Sequence, residues 1–317
     1  MRYLIIIAAT TAAGFGLSSP YLLQLITFIG INTLLALGLN MLMGYAGQIS
    51  LGHAAFFGLG AYTTGVLTVH YHWSPWAALA AAIILTVIVA FLIALPLLQL
   101  SGFYLGMGTL GFGMIANVVF RQWSTLTGGD SGLVGIPSLD LGPVSLSSSR
   151  NYLLLVWAVV TLFIFLCERL IDSRIGRALK AVHDSERAAA SMGIDTGRLK
   201  VQIFVLSALM AAIAGFLYAH FVSFISPGTF DFIFSVRLVT MVVIGGMASI
   251  WGSLLGAAVL TLLPEALGFF AQYEMIVYGL VLIVIMIVLP QGLFRGIQDI
   301  YGQTKFSGQS PSAGSKD

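Results

Sequence analysis

The chain has 317 residues, 58% of them hydrophobic and only 8% charged, with a mean hydropathy of +0.99. A soluble domain carries about a quarter charged residues, so this composition excludes one and points to a bilayer. A net charge of +2, with no stretch that interleaves basic and aromatic residues on a polar face, excludes nucleic acid as a partner, and the lone Cys167 excludes an intramolecular disulfide and a CxxC metal site.

Crossing the hydrocarbon takes about 20 apolar residues per helix, fewer for a short span. Apolar runs between polar or Pro/Gly breaks predict ten spans: 4–18, 21–42, 53–72, 76–99, 102–120, 151–171, 200–224, 235–249, 253–271 and 275–293. The first and eighth are short, so eight or nine full crossings also fit. The fold class is therefore all-α, a polytopic integral membrane bundle of eight to ten spans set in lipid. Arg2 ahead of an apolar run ending in small residues also fits a signal peptide, although the next span begins almost at once at Tyr21.

The stretch 44–62, GYAGQISLGHAAFFGLGAY, interrupts this pattern with five glycines and four side chains that hydrogen-bond, Gln48, Ser50, His53 and Tyr62. Irregular backbone at membrane depth is tolerated only where protein or water satisfies it. Gly47, Gln48, Ser50 and His53 therefore read as a partly unwound or re-entrant element lining the inner end of a transport path; an interfacial turn capped by Ser50 is the plainer alternative. The run IGGMASIWGSLLGA at 244–257 is a faint echo of it. Small-residue pairs at helical spacing, Gly102 with Gly106, Gly252 with Gly256, and the stripe Gly58, Ala61, Gly65, predict close helix packing.

Seven of the 14 basic residues and five of the 12 acidic ones fall between Glu168 and Lys200. Such a loop belongs in the cytoplasm. Alternating the spans outward from it places both termini inside and the segment from Arg121 to Arg150 outside. Within the loop, Asp184 reads as a helix cap, Glu186 as its first turn, Ala188 to Ala190 as its body and Gly193 as its stop. A helix of about two turns, roughly 12 Å long, is marginal alone in water and needs something to dock against. At the other end, Asp231, Arg237 and Glu265 are the ionisable groups in or beside spans eight and nine; Arg237 and Glu265 either pair along the path or, for Arg237, snorkel to the interface. The cluster His70, Tyr71, His72, Trp73 and Trp76 reads as an interfacial belt, not a metal site. The Ser- and Gly-rich tail, 301–317, reads as disordered after a transmembrane domain of 1–300 whose cytoplasmic loop covers 172–200.

GYAGQISLGHAAFFGLGAYTTG, SRIGRALKAVHDSERAAASMGI and the run SALMAAIAGFLYAHFVSFISPGTFDFIFSVRLVTMVVIGGMASIWGSLLGA, in that order over about residues 30–295, resemble the branched-chain amino-acid ABC transporter permeases of the LivM type. The resemblance implies that the loop carries a variant EAA motif whose coupling helix sits in a groove of a cytoplasmic ATPase. Glu186, Ala188, Ala189 and Gly193 match that pattern, with the glutamate one residue further from the glycine than in the general form. It also implies a second homologous permease, two ATPase subunits, a periplasmic binding protein and a place in the bacterial inner membrane. No lysine of the chain follows a glycine, so GxxxxGK[ST] is absent, and ATP would be bound by partners, with no cofactor on this chain.

Three functions compete. The first is an ATP-driven importer permease for branched-chain or related amino acids, or, in the same family, for urea and short amides. The second is an ion-coupled carrier, which would keep several intramembrane carboxylates where this chain has Glu265 alone. The third is an intramembrane hydrolase using Ser50 and His53, for which no orienting carboxylate lies nearby.

Overall fold

The computed structural model describes residues 19–141, 144–145 and 148–266, together with Gly279 and Ile283. The expected spans at 4–18 and 275–293, the far end of the ninth span, and the tail lie outside the described residues. Helix α1, Pro20–Asn40, starts with proline at its first position, where the missing N–H costs nothing. It runs on into a π-helical turn, Met41–Tyr45. Helix α2 is His53–Val69. Helix α3, Pro75–Leu97, is capped by the Ser74 side chain, which accepts from the Ala77 N–H. Next come α4, Phe103–Gln122, and a single turn, α5, Ser124–Thr127.

On the far side of a loop come α6, Ser149–Asp172, α7, Arg174–Asp184, and α8, Glu186–Ser191. The long α9, Thr196–Val222, is followed by α10, Phe232–Gly245, and α11, Ile250–Ala266. Two-residue strands fasten the loops: β1, Leu133–Val134, pairs antiparallel with β4, Phe224–Ile225, and β2, Asp140–Leu141, with β3, Val144–Ser145. Five of these helical segments, counting α1 with its π-turn, are long and apolar enough to cross a membrane, and α10 and α11 are shorter apolar helices. The architecture is the all-α membrane bundle the sequence predicts.

Chain direction alternates through the bundle. At one end Gly47 lies against His183, and the Lys200 ammonium donates to the Leu98 carbonyl at 3.2 Å, so 46–52, 98–101 and 173–200 share that end. At the opposite end β1 meets β4, Asn117 donates to the Pro227 carbonyl at 2.7 Å, and the Tyr21 hydroxyl donates to Glu265. This grouping follows the alternation of the predicted spans. The charge-rich end is called inner below and the other outer, after the bias of Lys and Arg.

Helices α1 and α9 form the centre, with 67% and 61% of their apolar windows buried, against 28% for α3 and α4. The latter two turn Ile84, Leu92 and Ile115 outward, a surface suited to hydrocarbon. Helices α2 and α9 cross at backbone distance. A Cβ on Gly60 would overlap the Ala212 carbonyl, and one on Gly215 would overlap the Phe57 carbonyl. Gly245, Gly252 and Gly256 bring α10 and α11 equally close, as expected for the pair at 252 and 256.

The pair at 102 and 106 behaves differently. Gly102 has nothing within 4 Å, and Gly106 meets only the Ile49 side chain. Gly102 has φ +56, so a turn and not helix packing explains it. The stripe of Gly58 and Gly65 receives side chains, Phe120 and Phe230 on one and Leu133, Ile136 and Ile225 on the other, rather than a helix backbone.

Gly215→Ala should therefore push α9 off α2 and destabilise the bundle by about 1–3 kcal/mol, seen as a lower thermal midpoint in detergent. Gly111→Ala, with open space at the site, should leave the midpoint unchanged or raise it.

Candidate functional site

At the inner end the helical ladder is broken twice, at 46–52 and at 246–249, and one side chain ties the helix leading into the first break to the second. Asn40, fully buried, donates through Nδ2 to the Ser249 carbonyl and the Ser253 hydroxyl, each at 2.8 Å, while its Oδ1 accepts from the Ala248 N–H at 3.0 Å. Only glycine fits at 44, where a Cβ would overlap both Asn40 Oδ1 and the Ala248 nitrogen. Ala248 has φ +56 and Gly246 φ +114, so this amide fixes a turn that an L-residue at 248 adopts only under constraint. Asn40 was not singled out from the sequence; an amide in an apolar run that also holds Gln24 and Asn32 was its only signal.

The residues expected to line the inner path sit in the first break. Gly47 takes φ +67 against His183. The Gln48 N–H returns to the Leu42 carbonyl at 3.0 Å, and its side-chain amide donates to the Ala46 carbonyl at 3.1 Å. Leu51 N–H donates to the Thr109 hydroxyl at 3.0 Å. Gln48, Ser50 and His53 are all buried, and His53 Nε2 has no hydrogen-bond partner among the described residues. The segment is thus an unwound element whose backbone is satisfied by protein.

The charged loop is more ordered than its composition suggests. Ser173 starts α7 by accepting from the N–H groups of Ile175 and Gly176, and Leu179 and Val182 on one face are buried. Helix α7 was not expected from the sequence. It also displaces the expected cap: Asp184 is the last residue of α7, and Ser185 caps α8, its hydroxyl accepting from the Ala188 N–H at 3.3 Å. Serine serves as well as aspartate at an N-cap, and the extended backbone of Ser185 supplies the corner.

Gly193, φ +82, ends α8 as expected. Its N–H bonds to the Ala190 carbonyl and the Ile194 N–H to the Ala189 carbonyl, the double closure of a Schellman motif. Of the predicted alanine face, Ala188 is exposed and Ala189 buried, whereas Met192, unremarked in the sequence, is 82% exposed at the tip.

Glu186 faces back toward the bundle. Its Oε1 lies 2.7 Å from the Lys200 ammonium and accepts from the Thr196 hydroxyl at 3.3 Å. Lys200 is only 5% exposed and also donates to the Leu98 carbonyl at 3.2 Å, so one ammonium ties α8, the base of α9 and the end of α3 together. Nearby, the Trp251 indole donates to Glu168 at 2.9 Å, linking α11 to the inner end of α6.

At the outer end a cavity of about 430 Å³ opens between α1, α10, α11 and the turn before α10. Its wall includes both expected ionisable groups, Arg237 and Glu265, with Asp231 and Asn32. Among the described residues Arg237 and Glu265 form no ion pair; Glu265 accepts from the Tyr21 hydroxyl instead. Asp231 caps α10 by accepting from the Phe234 N–H at 2.8 Å, and Asn32 donates to the Thr261 hydroxyl at 2.9 Å.

Residues 21–286 match the family described as branched-chain amino acid transport system / permease component. The chain is similar to the high-affinity branched-chain amino acid transport system permease protein LivM of Salmonella typhimurium, at 33% identity over 290 residues, covering 84% of this chain and 68% of the relative. It is also similar to LivH of the same organism, at 27% identity over 82% of this chain and 90% of the relative. BraD of Pseudomonas aeruginosa is 26% identical over 86% of this chain and 95% of its own length. No solved structure matches the chain. With the match running through the unwound inner segment, the clamped loop and the outer cavity, the chain belongs to the branched-chain amino acid transport permease family.

Proposed function

We propose that this chain is the membrane subunit of an ATP-driven importer that carries branched-chain or related small amino acids inward across the bacterial inner membrane. In this reading it pairs with a second, homologous permease, rests on two cytoplasmic ATPase subunits and receives solute from a periplasmic binding protein. No catalytic residue and no cofactor is assigned to it; ATP chemistry belongs to the ATPase partners. The domain plan is one transmembrane domain over 1–300 with the coupling loop, 172–200, beneath it.

The observation that carries the reading is the fastening of α8. A six-residue helix does not hold itself together in water; here it is capped at both ends and bolted through Glu186 and Lys200 to two spans. It presents Ala188, Ala190 and Met192 outward, a small apolar knob suited to a groove on a soluble partner. Movement of that partner would pass through Lys200 into α9. Because α9 meets α2 at backbone distance, the two would shift as one body. The unwound segments at 46–52 and 246–249, the second held by Asn40, are where we place the inner gate.

In proteoliposomes containing the whole complex, uptake should require ATP on the inner side and the binding protein on the outer side, and should survive a proton uncoupler. Uptake that collapses with the proton gradient while ATP remains would favour the ion-coupled carrier. Ala188→Arg or Met192→Glu, both at exposed positions, should abolish co-purification of the ATPase at least tenfold without lowering the thermal midpoint of the isolated chain. Retention of the ATPase by both variants would remove α8 as the docking element.

A further inference from the structure

The outer cavity brings together charged, polar and aromatic side chains from three helices. Helix α1 contributes Leu25, Phe28 and Asn32 at positions i, i+3 and i+7, one face of the helix. Helix α11 contributes Thr261 and Glu265 at i and i+4, and the start of α10 contributes Asp231, Phe234 and Arg237. A guanidinium with two carboxylates around one space would ordinarily close into an ion pair. Among the described residues Arg237 pairs with neither Asp231 nor Glu265, and the space between them is kept open.

Each carboxylate is anchored on one side only. Asp231 uses Oδ1 to cap α10, and Glu265 uses one oxygen for the Tyr21 hydroxyl. A carboxylate accepts about four hydrogen bonds, so both retain acceptor capacity. The Asn32–Thr261 hydrogen bond, at 2.9 Å, holds α1 to α11 beside them. The rest of the wall is mixed, with Tyr218 and Thr229 beside Phe28, Ile31, Phe57 and Phe234. At about 430 Å³ the cavity is in the size range of small-molecule sites, roughly 300–1,000 Å³.

We propose that this cavity is an outer solute subsite for a zwitterionic α-amino acid with an aliphatic side chain, its carboxylate on Arg237, its ammonium on Glu265 and Asp231, and its side chain against the phenylalanine wall. The proposal rests on the importer reading above and names where the solute pauses. Arg237 and Glu265 are exposed and Asp231 half-buried at this cavity, so both signs face the space, and a small ligand carrying both signs can pair with the guanidinium and the carboxylates together. A sugar would offer these groups only neutral hydrogen bonds, and a dicarboxylic solute would place a second negative charge beside the two carboxylates. Planar, two-pronged pairing with carboxylate is the property that distinguishes arginine from lysine at such a position.

The test uses the intact transporter in proteoliposomes with saturating binding protein, and L-leucine and L-alanine as the probes. Arg237→Gln should lower uptake of both amino acids at least tenfold while ATP hydrolysis stays within twofold of wild type. Ile233→Trp, at a lining position 65% exposed in the chain, should narrow the cavity without repacking the core and lower the leucine-to-alanine uptake ratio at least fivefold. Wild-type uptake by Arg237→Gln, or an unchanged ratio in Ile233→Trp, overturns the subsite while leaving the importer reading standing. If Arg237→Gln does not assemble, the ratio decides alone, since it is independent of the amount of protein. Failure of the wild-type complex to take up either amino acid overturns the importer reading and the subsite with it.

Discussion

The buried ammonium of Lys200 is the point on which the rest of this structure turns. A charge with 5% exposure is tolerated only when paired and hydrogen-bonded, and both conditions are met from different elements, Glu186 of α8 and the carbonyl that ends α3. The requirement works in both directions. Lys200 holds a six-residue helix in place, and α8 keeps Lys200 from being an uncompensated charge at the base of the longest helix. Loosening one partner leaves the other in an unfavourable state, so the loop and the bundle are mechanically one piece.

What lies above that clamp converts attachment into shape. Glycines at 60 and 215 bring α2 and α9 to backbone contact, and glycines at 245, 252 and 256 do the same for α10 and α11. Packed pairs of this kind move as units because interdigitated interiors have discrete arrangements and little compliance. The two unwound segments at the inner end differ in kind. Their backbone groups are satisfied by a few hydrogen bonds, from the Asn40 amide at 246–249 and through the Gln48 N–H and the Thr109 hydroxyl at 46–52. A few polar bonds can be exchanged for others at lower cost than a packed helix crossing, which is why the inner breaks suit a gate and the crossings suit levers.

The sequence made the architecture readable because bilayer physics leaves so few choices: long apolar runs must be helices, and the cluster of charges between 168 and 200 orients them. It also made α8 readable through its alanines and Gly193. It missed α7, whose amphipathic pattern is carried by residues as different as Gly176, Leu179 and Val182, and it assigned the cap to Asp184 where backbone geometry chose Ser185. Glycine pairs were ambiguous for a physical reason: Gly252 and Gly256 serve helix contact, whereas Gly102 serves a turn, and spacing alone does not separate the two uses. The contacts of Asn40 and the bond from Lys200 to Leu98 span more than 100 residues of chain, so no local pattern announces them. Arg237 and Glu265 could be named as unusual, but that they face one open cavity without pairing is a fact of tertiary structure.

The central claim is that force from a cytoplasmic ATPase enters the bundle through the Glu186–Lys200 contact. The most direct measurement is the number of amino-acid molecules taken up per ATP hydrolysed by the assembled complex carrying Glu186→Ala. The account predicts that hydrolysis continues while this ratio falls at least tenfold. A wild-type ratio in that variant, with the ATPase still bound, would contradict it.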